Sequence, residues 1–297
     1  MKTLKIVAGI TLISMQLCSG KAIIWDLNFT LIKDSPWKAV KMIGFKNCML
    51  FGLQHGSKSS DIMEKTLLEV LDTYEPLHVD NKKTDETPMD PKGKNHQPQL
   101  MQDWFAGKRT SAEIKKIALE QAEKYDKYKP NSPLINMFAK NNVHKKVIKG
   151  TINWMFTPEE FAKGQKVVEP ARKLLKECAT VRDASGALKH TCYLLSNCDA
   201  ETYSSIENDP KFEPVFRYIA PDHRFISAKM KCIKPQQRIF ECLLQDAHLD
   251  AKDCILIDDQ EENCKKAKKL GIDAIEIIKD NYTNVKKELT KRGVFEP

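Results

Sequence analysis

The chain has 297 residues, with 48 Lys and Arg against 40 Asp and Glu, a formal charge of +8, 41% hydrophobic and 30% charged residues. A chain of this size buries a core without staples, and its composition is that of a soluble globular protein. The positive charge is dispersed as lysines among acids, with no long basic block or aromatic–basic interleaving, which excludes a nucleic-acid signature and leaves a surface with a weak attraction for anionic small molecules.

Residues 1–20 have the three parts of a secretory signal peptide: Lys2 and Lys5, the apolar run Ile6–Leu17, then small residues at Cys18-Ser19-Gly20. The run is too short for a bilayer span of about 20 residues, so no stable membrane span is expected after cleavage. The expected location is exported, periplasmic or secreted. The alternative is a cytoplasmic protein in which this run is a buried strand or an N-terminal helix. Of nine cysteines, Cys18 leaves with such a signal and eight remain. An even number permits disulfides in an exported protein, while Cys192 and Cys254, inside strand-like runs, read equally well as buried thiols. No Cys/His spacing of a zinc site is present.

Ala22–Trp25 is a short apolar run ending at Asp26, the pattern of a buried parallel strand. From Pro36 to about Gly164 strand character is scarce. Asp61–Leu71 has helical periodicity, and the polar, proline-rich stretch Pro76–Gln99 reads as a loop. Ser111–Tyr125 is a predicted helix, with Thr110 and Glu113 as a capping box. Pro133–Phe138 and Glu159–Lys163 are further helical pieces. After Val167 helices and strands alternate. Helices are predicted at Glu169–Cys178, Pro235–Ala247, Glu261–Leu270 (closed by Gly271) and Val285–Arg292. Strands are predicted at Thr191–Leu195, Val215–Ile219, Asp253–Ile257 and Ala274–Ile278. Lys265, Lys266, Lys268 and Lys269 fall on one of these helices as a solvated face. Such alternation argues for a parallel sheet covered on both faces, with the strand C-terminal ends along one edge, where ligands bind in open α/β sheets.

Asp26, Ser196, Lys234 and the pair Asp258-Asp259 all fall at or just beyond the ends of predicted elements. A carboxylate nucleophile, a hydroxyl, an ammonium and further carboxylates together suit phosphoryl transfer. Carboxylates hold Mg²⁺, the ammonium and hydroxyl orient phosphoryl oxygens, and the nucleophile forms an acyl-phosphate.

These residues resemble four motifs of the haloacid-dehalogenase-like (HAD) hydrolases. Ile23-Ile24-Trp25-Asp26-Leu27-Asn28-Phe29-Thr30 is similar to the first, and Leu194-Leu195-Ser196-Asn197 to the second. Lys234-Pro235 with Ile239-Phe240 is similar to the third, and Ile255-Leu256-Ile257-Asp258-Asp259 with Asn263 to the fourth. Trp104, Gly107, Thr110 and Glu113 resemble a stretch seen in that family's helical caps. The resemblance implies an α/β fold: a Rossmann-like parallel-sheet core of residues 21–34 and 165–297, with a mostly helical cap domain inserted at 35–164. It also implies a Mg²⁺-dependent phosphatase acting on a small phosphorylated molecule. In that reading Asp26 is the nucleophile, and Asp26, the main-chain carbonyl of Asn28, Asp258 and Asp259 form the metal site. Thr30, Ser196, Asn197 and Lys234 surround the phosphoryl group, Thr30 also buttressing the loop.

One position departs from the pattern. The family's phosphatases carry a second Asp two residues after the nucleophile, and here Asn28 stands there. An amide has no useful pKa for general acid–base work, a role worth roughly 10²–10⁴-fold. Three readings stay open: a phosphatase suited to good leaving groups, a catalytically weak or inactive binding protein, and a dehalogenase-type hydrolase. Against the last stands Asp258-Asp259, since a halide needs no metal site. Trp37, Phe45, Phe51 and Trp104 either line a substrate pocket or form the insertion's own core. His144, His190 and His248 read as surface or packing residues. Asn281-Tyr282-Thr283 is a glycosylation candidate in a eukaryotic secretory host only.

Overall fold

The computed structural model describes residues 20–74 and 97–296. The leader expected over residues 1–20, all but Gly20, and most of the loop expected over Pro76–Gln99 lie outside the described residues.

Five strands form one parallel sheet: β1 (Ala22–Trp25), β4 (Thr191–Ser196), β5 (Arg224–Ile226), β6 (Cys254–Asp258) and β7 (Asp273–Glu276), in the order β5-β4-β1-β6-β7. The first strand in sequence is therefore the central one. Its residues alternate between two cores. Ile23 and Trp25 join Cys192, Leu194, Ile255 and Ile257 on one face, against α9 (Glu169–Thr180), α10 (Ala200–Glu207) and α15 (Tyr282–Lys291). Ala22 and Ile24 join Tyr193, Leu195, Cys254 and Leu256 on the other, against α13 (Gln237–Asp246) and α14 (Glu261–Lys269). Both faces are covered, and for that reason these strands read as continuous apolar runs rather than alternating ones.

Between β1 and β4 the chain leaves the sheet. Two short strands, β2 (Ile32–Asp34) and β3 (Gln165–Val167), pair antiparallel and bring the two ends of the excursion together. Among the described residues, eight α-helices lie between them: α1 (Pro36–Ile43), α2 (Phe45–His55), α3 (Ser59–Asp72), α4 (Gln99–Phe105), α5 (Ser111–Lys124), α6 (Pro133–Asn136), α7 (Val143–Met155) and α8 (Pro158–Gly164). The helix α7 is the hub of this segment. Ile148 and Ile152 join Leu71, Trp104 and Ile114 in one cluster, while Val143, Val147 and Trp154 join Ile43, Leu50 and Phe51 in another. Of the four aromatic residues considered for a pocket, Phe51 and Trp104 are buried core; Trp37 and Phe45 are exposed and stack on each other.

One predicted strand is absent. The segment Val215–Ile219 is not extended: α11 (Glu213–Phe216) occupies its start. Pro214 sits in the first turn of a helix, where its missing N–H costs nothing, and Val215, Phe216 and Ile219 are buried at helical rather than alternating spacing. The edge strand beside β4 is β5, leading into α12 (Ser227–Met230). All eight described cysteines are free thiols.

The Trp104–Glu113 stretch has a physical explanation. Trp104 is buried and donates its indole N–H to Ser111 Oγ at 3.1 Å. Thr110 and Glu113 form the capping box of α5. Gly107 has φ +62°, and a Cβ there would lie 2.7 Å from the carbonyl oxygen of Ala228 on the sheet side of the molecule. Gly107→Val is therefore expected to cost about 2–4 kcal/mol from left-handed strain plus a backbone clash, read as a lower midpoint in urea unfolding.

A second prediction concerns pH. His144, 1% exposed, accepts the Lys129 N–H at Nδ1 (3.1 Å), so its proton sits on Nε2, facing Thr66 Oγ1 at 3.0 Å. Phe51, Tyr128 and His55 surround the ring. Burial, then the charges of His55 and Lys129, lower its pKa to about 4. An unfolded histidine titrates near 6.5. Below that pH the unfolded chain takes up a proton that the native site refuses, so stability falls as pH drops from about 6.5 to about 4. The loss is roughly 2–3 kcal/mol. His144→Gln is expected to remove this part of the slope in urea unfolding measured at pH 7, 5.5 and 4.5.

Candidate active site

Register alone brings the first residues together. Trp25 pairs with Leu194 of β4 and with Ile257 of β6. The next residue on β1 is Asp26, whose N–H donates to Ile257 O at 3.0 Å, and the next on β6 is Asp258. Two carboxylates thus stand side by side at the C-terminal edge of adjacent strands, with Ser196 at the end of the strand on the other side.

Lys234 joins them from the segment before α13. Its ammonium is 2.7 Å from Asp26 Oδ1 and 2.6 Å from Asp258 Oδ2, and the residue is 2% exposed. Asp258 Oδ1 accepts from Gln260 N and Asn263 Nδ2, each at 2.9 Å. Oxygen atoms of Asp26, Asp258 and Asp259 all lie within 4.8 Å of one another.

The site is electrostatically tense. Burial raises the pKa of Asp26 to about 6, against the opposing pull of Lys234 and with a further push from Asp258. Burial and the charges of Asp26 and Asp258 raise Asp259 to about 8. Burial disfavours the charged form of Lys234, but Asp258 and Asp26 more than offset this and hold it above the usual lysine range. Ionising all three carboxylates around one ammonium would leave surplus negative charge, and burial makes that surplus costly.

The donor set fits Mg²⁺. It is all oxygen, as hard divalent cations require, and Asp259 Oδ1 is a buried oxygen with no hydrogen-bond partner among the described residues. Asp26, Asp258 and Asp259 are the side chains that could hold it. Ser196 Oγ and Thr30 Oγ1 are likewise buried without a partner.

Two of the expected site residues also hold the main chain around the site. Asn197 accepts Lys234 N–H at 2.7 Å and donates to Lys234 O at 2.9 Å. Its amide positions the main chain of the lysine through these two bonds, which leaves the second amide N–H uncommitted to Lys234. Thr30 is fully buried, and its main-chain carbonyl accepts from Tyr282 OH at 2.6 Å, which ties down the loop after Asp26. The Asn28 side chain donates to Asn197 O at 3.3 Å, and Asn28 and Asp259 are only partly buried beside the enclosed Asp26 and Lys234.

Sequence reasoning missed Asp199. It is buried, caps α10 by accepting from Glu201 N and Thr202 N, and also accepts from Ser111 Oγ of the helical insertion at 3.1 Å. An Asp immediately before a helix was a visible N-cap signal; its link to Ser111 was not visible.

No family profile and no curated protein matches this chain. Solved structures do. A HAD family enzyme of Bacteroides thetaiotaomicron is 18% identical, aligned over 90% of this chain and 98% of its own, with a TM-score of 0.51. That enzyme in complex with magnesium and inorganic phosphate is 19% identical over 87% and 94%, with a TM-score of 0.45. A structure described as a dehalogenase is 13% identical over 89% and 87%, with a TM-score of 0.47. The fold is that of the HAD-like hydrolases: a Rossmann-like parallel sheet with a long, mostly helical insertion after its central strand.

Proposed function

We propose that this protein is a Mg²⁺-dependent hydrolase of small phosphate monoesters, working through a phosphorylated Asp26. The observation that supports it most is the buried contact of Lys234 with both Asp26 and Asp258, with Asp259 alongside. An ammonium and clustered carboxylates at one strand edge match the charges of a phosphoryl group and a divalent cation, and match nothing that a structural core requires.

In this reading a carboxylate oxygen of Asp26 attacks phosphorus, the bond from phosphorus to the leaving oxygen breaks, and the leaving group departs as an anion that takes its proton from solvent. Water then attacks phosphorus, releasing inorganic phosphate and a proton and restoring the carboxylate. Lys234 neutralises phosphoryl oxygens, Ser196 offers its unpaired hydroxyl, and Asn197 holds Lys234 in place. Bound Mg²⁺ supplies Lewis-acid neutralisation of the same oxygens. The insertion acts as a cap that selects the substrate, and the leader peptide sets the reaction outside the cytoplasm. Asn28 favours one rival, a weak or inactive binding protein on the same frame, because its amide already donates to Asn197 and has no proton to exchange.

An activated aryl phosphate needs little help from a general acid, so it is the discriminating substrate. Release is expected with Mg²⁺ and is expected to vanish with a chelator. Mg²⁺ at 100 times its dissociation constant is also expected to stabilise the fold by about 2.7 kcal/mol, seen as a rise in Tm. A rise in Tm without release would leave the binding reading, and metal-independent release of halide from a 2-haloacid would move the chain to the dehalogenase class.

A further inference from the structure

The helices α1 and α2 carry an apolar stripe that stands largely exposed. Trp37 is 74% exposed, Phe45 56%, Met49 48% and Leu53 65%. Phe45, Met49 and Leu53 are spaced four apart, so they line one side of α2. The rings of Trp37 and Phe45 stack with centroids 6.3 Å apart, which joins the two helices into one patch. The opposite side of α2, with Leu50 and Phe51, is buried in the insertion's core. The stripe is therefore surplus to the hydrophobic needs of the fold, and exposed clusters of this kind mark interaction surfaces.

Charge identifies the partner. Lys41 lies one turn beyond Trp37 on the same side of α1, and Lys46 lies two turns from Leu53 on α2; both are exposed. From Ser35 to Ser60 the chain has four lysines and no acidic residue. Of these lysines, Lys38 faces an acid, Asp209, which is also paired with Lys211. Aromatic and aliphatic side chains bordered by lysines, on a segment that carries no acid of its own, are the pattern of a helix surface lying in the interface of an anionic bilayer. A second copy of the chain would set these lysines against each other. We propose that the α1–α2 surface docks on anionic lipid headgroups, with Trp37, Phe45, Met49 and Leu53 entering the interface and Lys41 and Lys46 contacting the headgroups.

The molecule carries its own probe. Trp25, Trp104 and Trp154 are buried, so a change in fluorescence or in acrylamide quenching on binding reports Trp37. The full-length protein would be mixed with vesicles of phosphatidylcholine alone or with phosphatidylglycerol added. The expected result is sedimentation with the anionic vesicles only, a blue shift, and protection of Trp37 from acrylamide. Lys41→Glu with Lys46→Glu, and separately Phe45→Ser with Leu53→Ser, are each expected to weaken partitioning about tenfold or more while leaving the urea midpoint close to wild type. The inference is overturned by failure to bind anionic vesicles, by equal binding to both vesicle types, or by binding that neither double variant weakens. It is equally overturned by a wild-type dimer, in the absence of lipid, that Phe45→Ser with Leu53→Ser converts to monomer.

Discussion

Asp26→Asn is expected to lower aryl phosphate hydrolysis by roughly 10⁴-fold or more, as removal of a covalent nucleophile does, with the fold retained. The amide oxygen can still accept from Lys234, and the site loses one of three crowded carboxylates. Asn28→Asp is expected to act in the opposite direction. A carboxyl at this partly buried position could protonate a leaving oxygen and then activate water, and such catalysis contributes about 10²–10⁴-fold. The gain is expected to be large for alkyl phosphates, whose leaving groups need a proton, and small for aryl phosphates, which leave unaided. Comparing kcat/KM for a matched aryl and alkyl pair in wild type and both variants checks this. Equal gains on both substrates would mean that the residue alters binding rather than proton transfer. No turnover in any of the three proteins would overturn the phosphoryl-transfer reading altogether.

Lys234→Met is expected to have the largest effect on stability. The substitution keeps length and apolar stem but removes the charge that Asp26 and Asp258 share at 2.7 and 2.6 Å. Breaking a buried pair leaves uncompensated charge and costs about 3–5 kcal/mol, a large part of the stability of an ordinary domain. Urea unfolding without metal would show the loss. Mg²⁺ is expected to return part of it, because a cation among the same carboxylates relieves the same repulsion. Turnover is expected to fall by roughly 10²–10³-fold, the usual cost of losing one group that stabilises transition-state charge. A variant as stable as wild type would overturn the reading of Lys234 as the charge that holds these carboxylates together.

Much of the site was legible in the sequence because its signals are local. The three central strands are short apolar runs, and each run is followed directly by its polar residue at the C-terminal edge: Asp26 after Trp25, Ser196 after Leu195, Asp258 after Ile257. Parallel strands with right-handed crossovers put those ends along one edge, so the gathering of distant residues follows from topology without any contact being known. The capping box at Thr110 and the glycine closing α14 were equally local. The run Val215–Ile219 failed because a short apolar stretch fits helix and strand alike, and the tertiary packing around it selected the helix.

Composition and pattern by themselves determined the class of chain, the alternation of helices and strands, the identity of the acidic and basic groups at the sheet edge, and the amide at Asn28. Only the tertiary structure decided what each of those groups does with its hydrogen bonds. That Lys234 bridges two carboxylates, that Asn197 holds Lys234 by its main chain, that Tyr282 ties down Thr30, and that β2 meets β3 across 130 residues of chain are all non-local pairings. Local sequence carries the propensity of a segment to bury itself or to turn. It carries no record of which distant donor will reach a given acceptor, because that choice is made by sheet register and by the packing of helices on both faces.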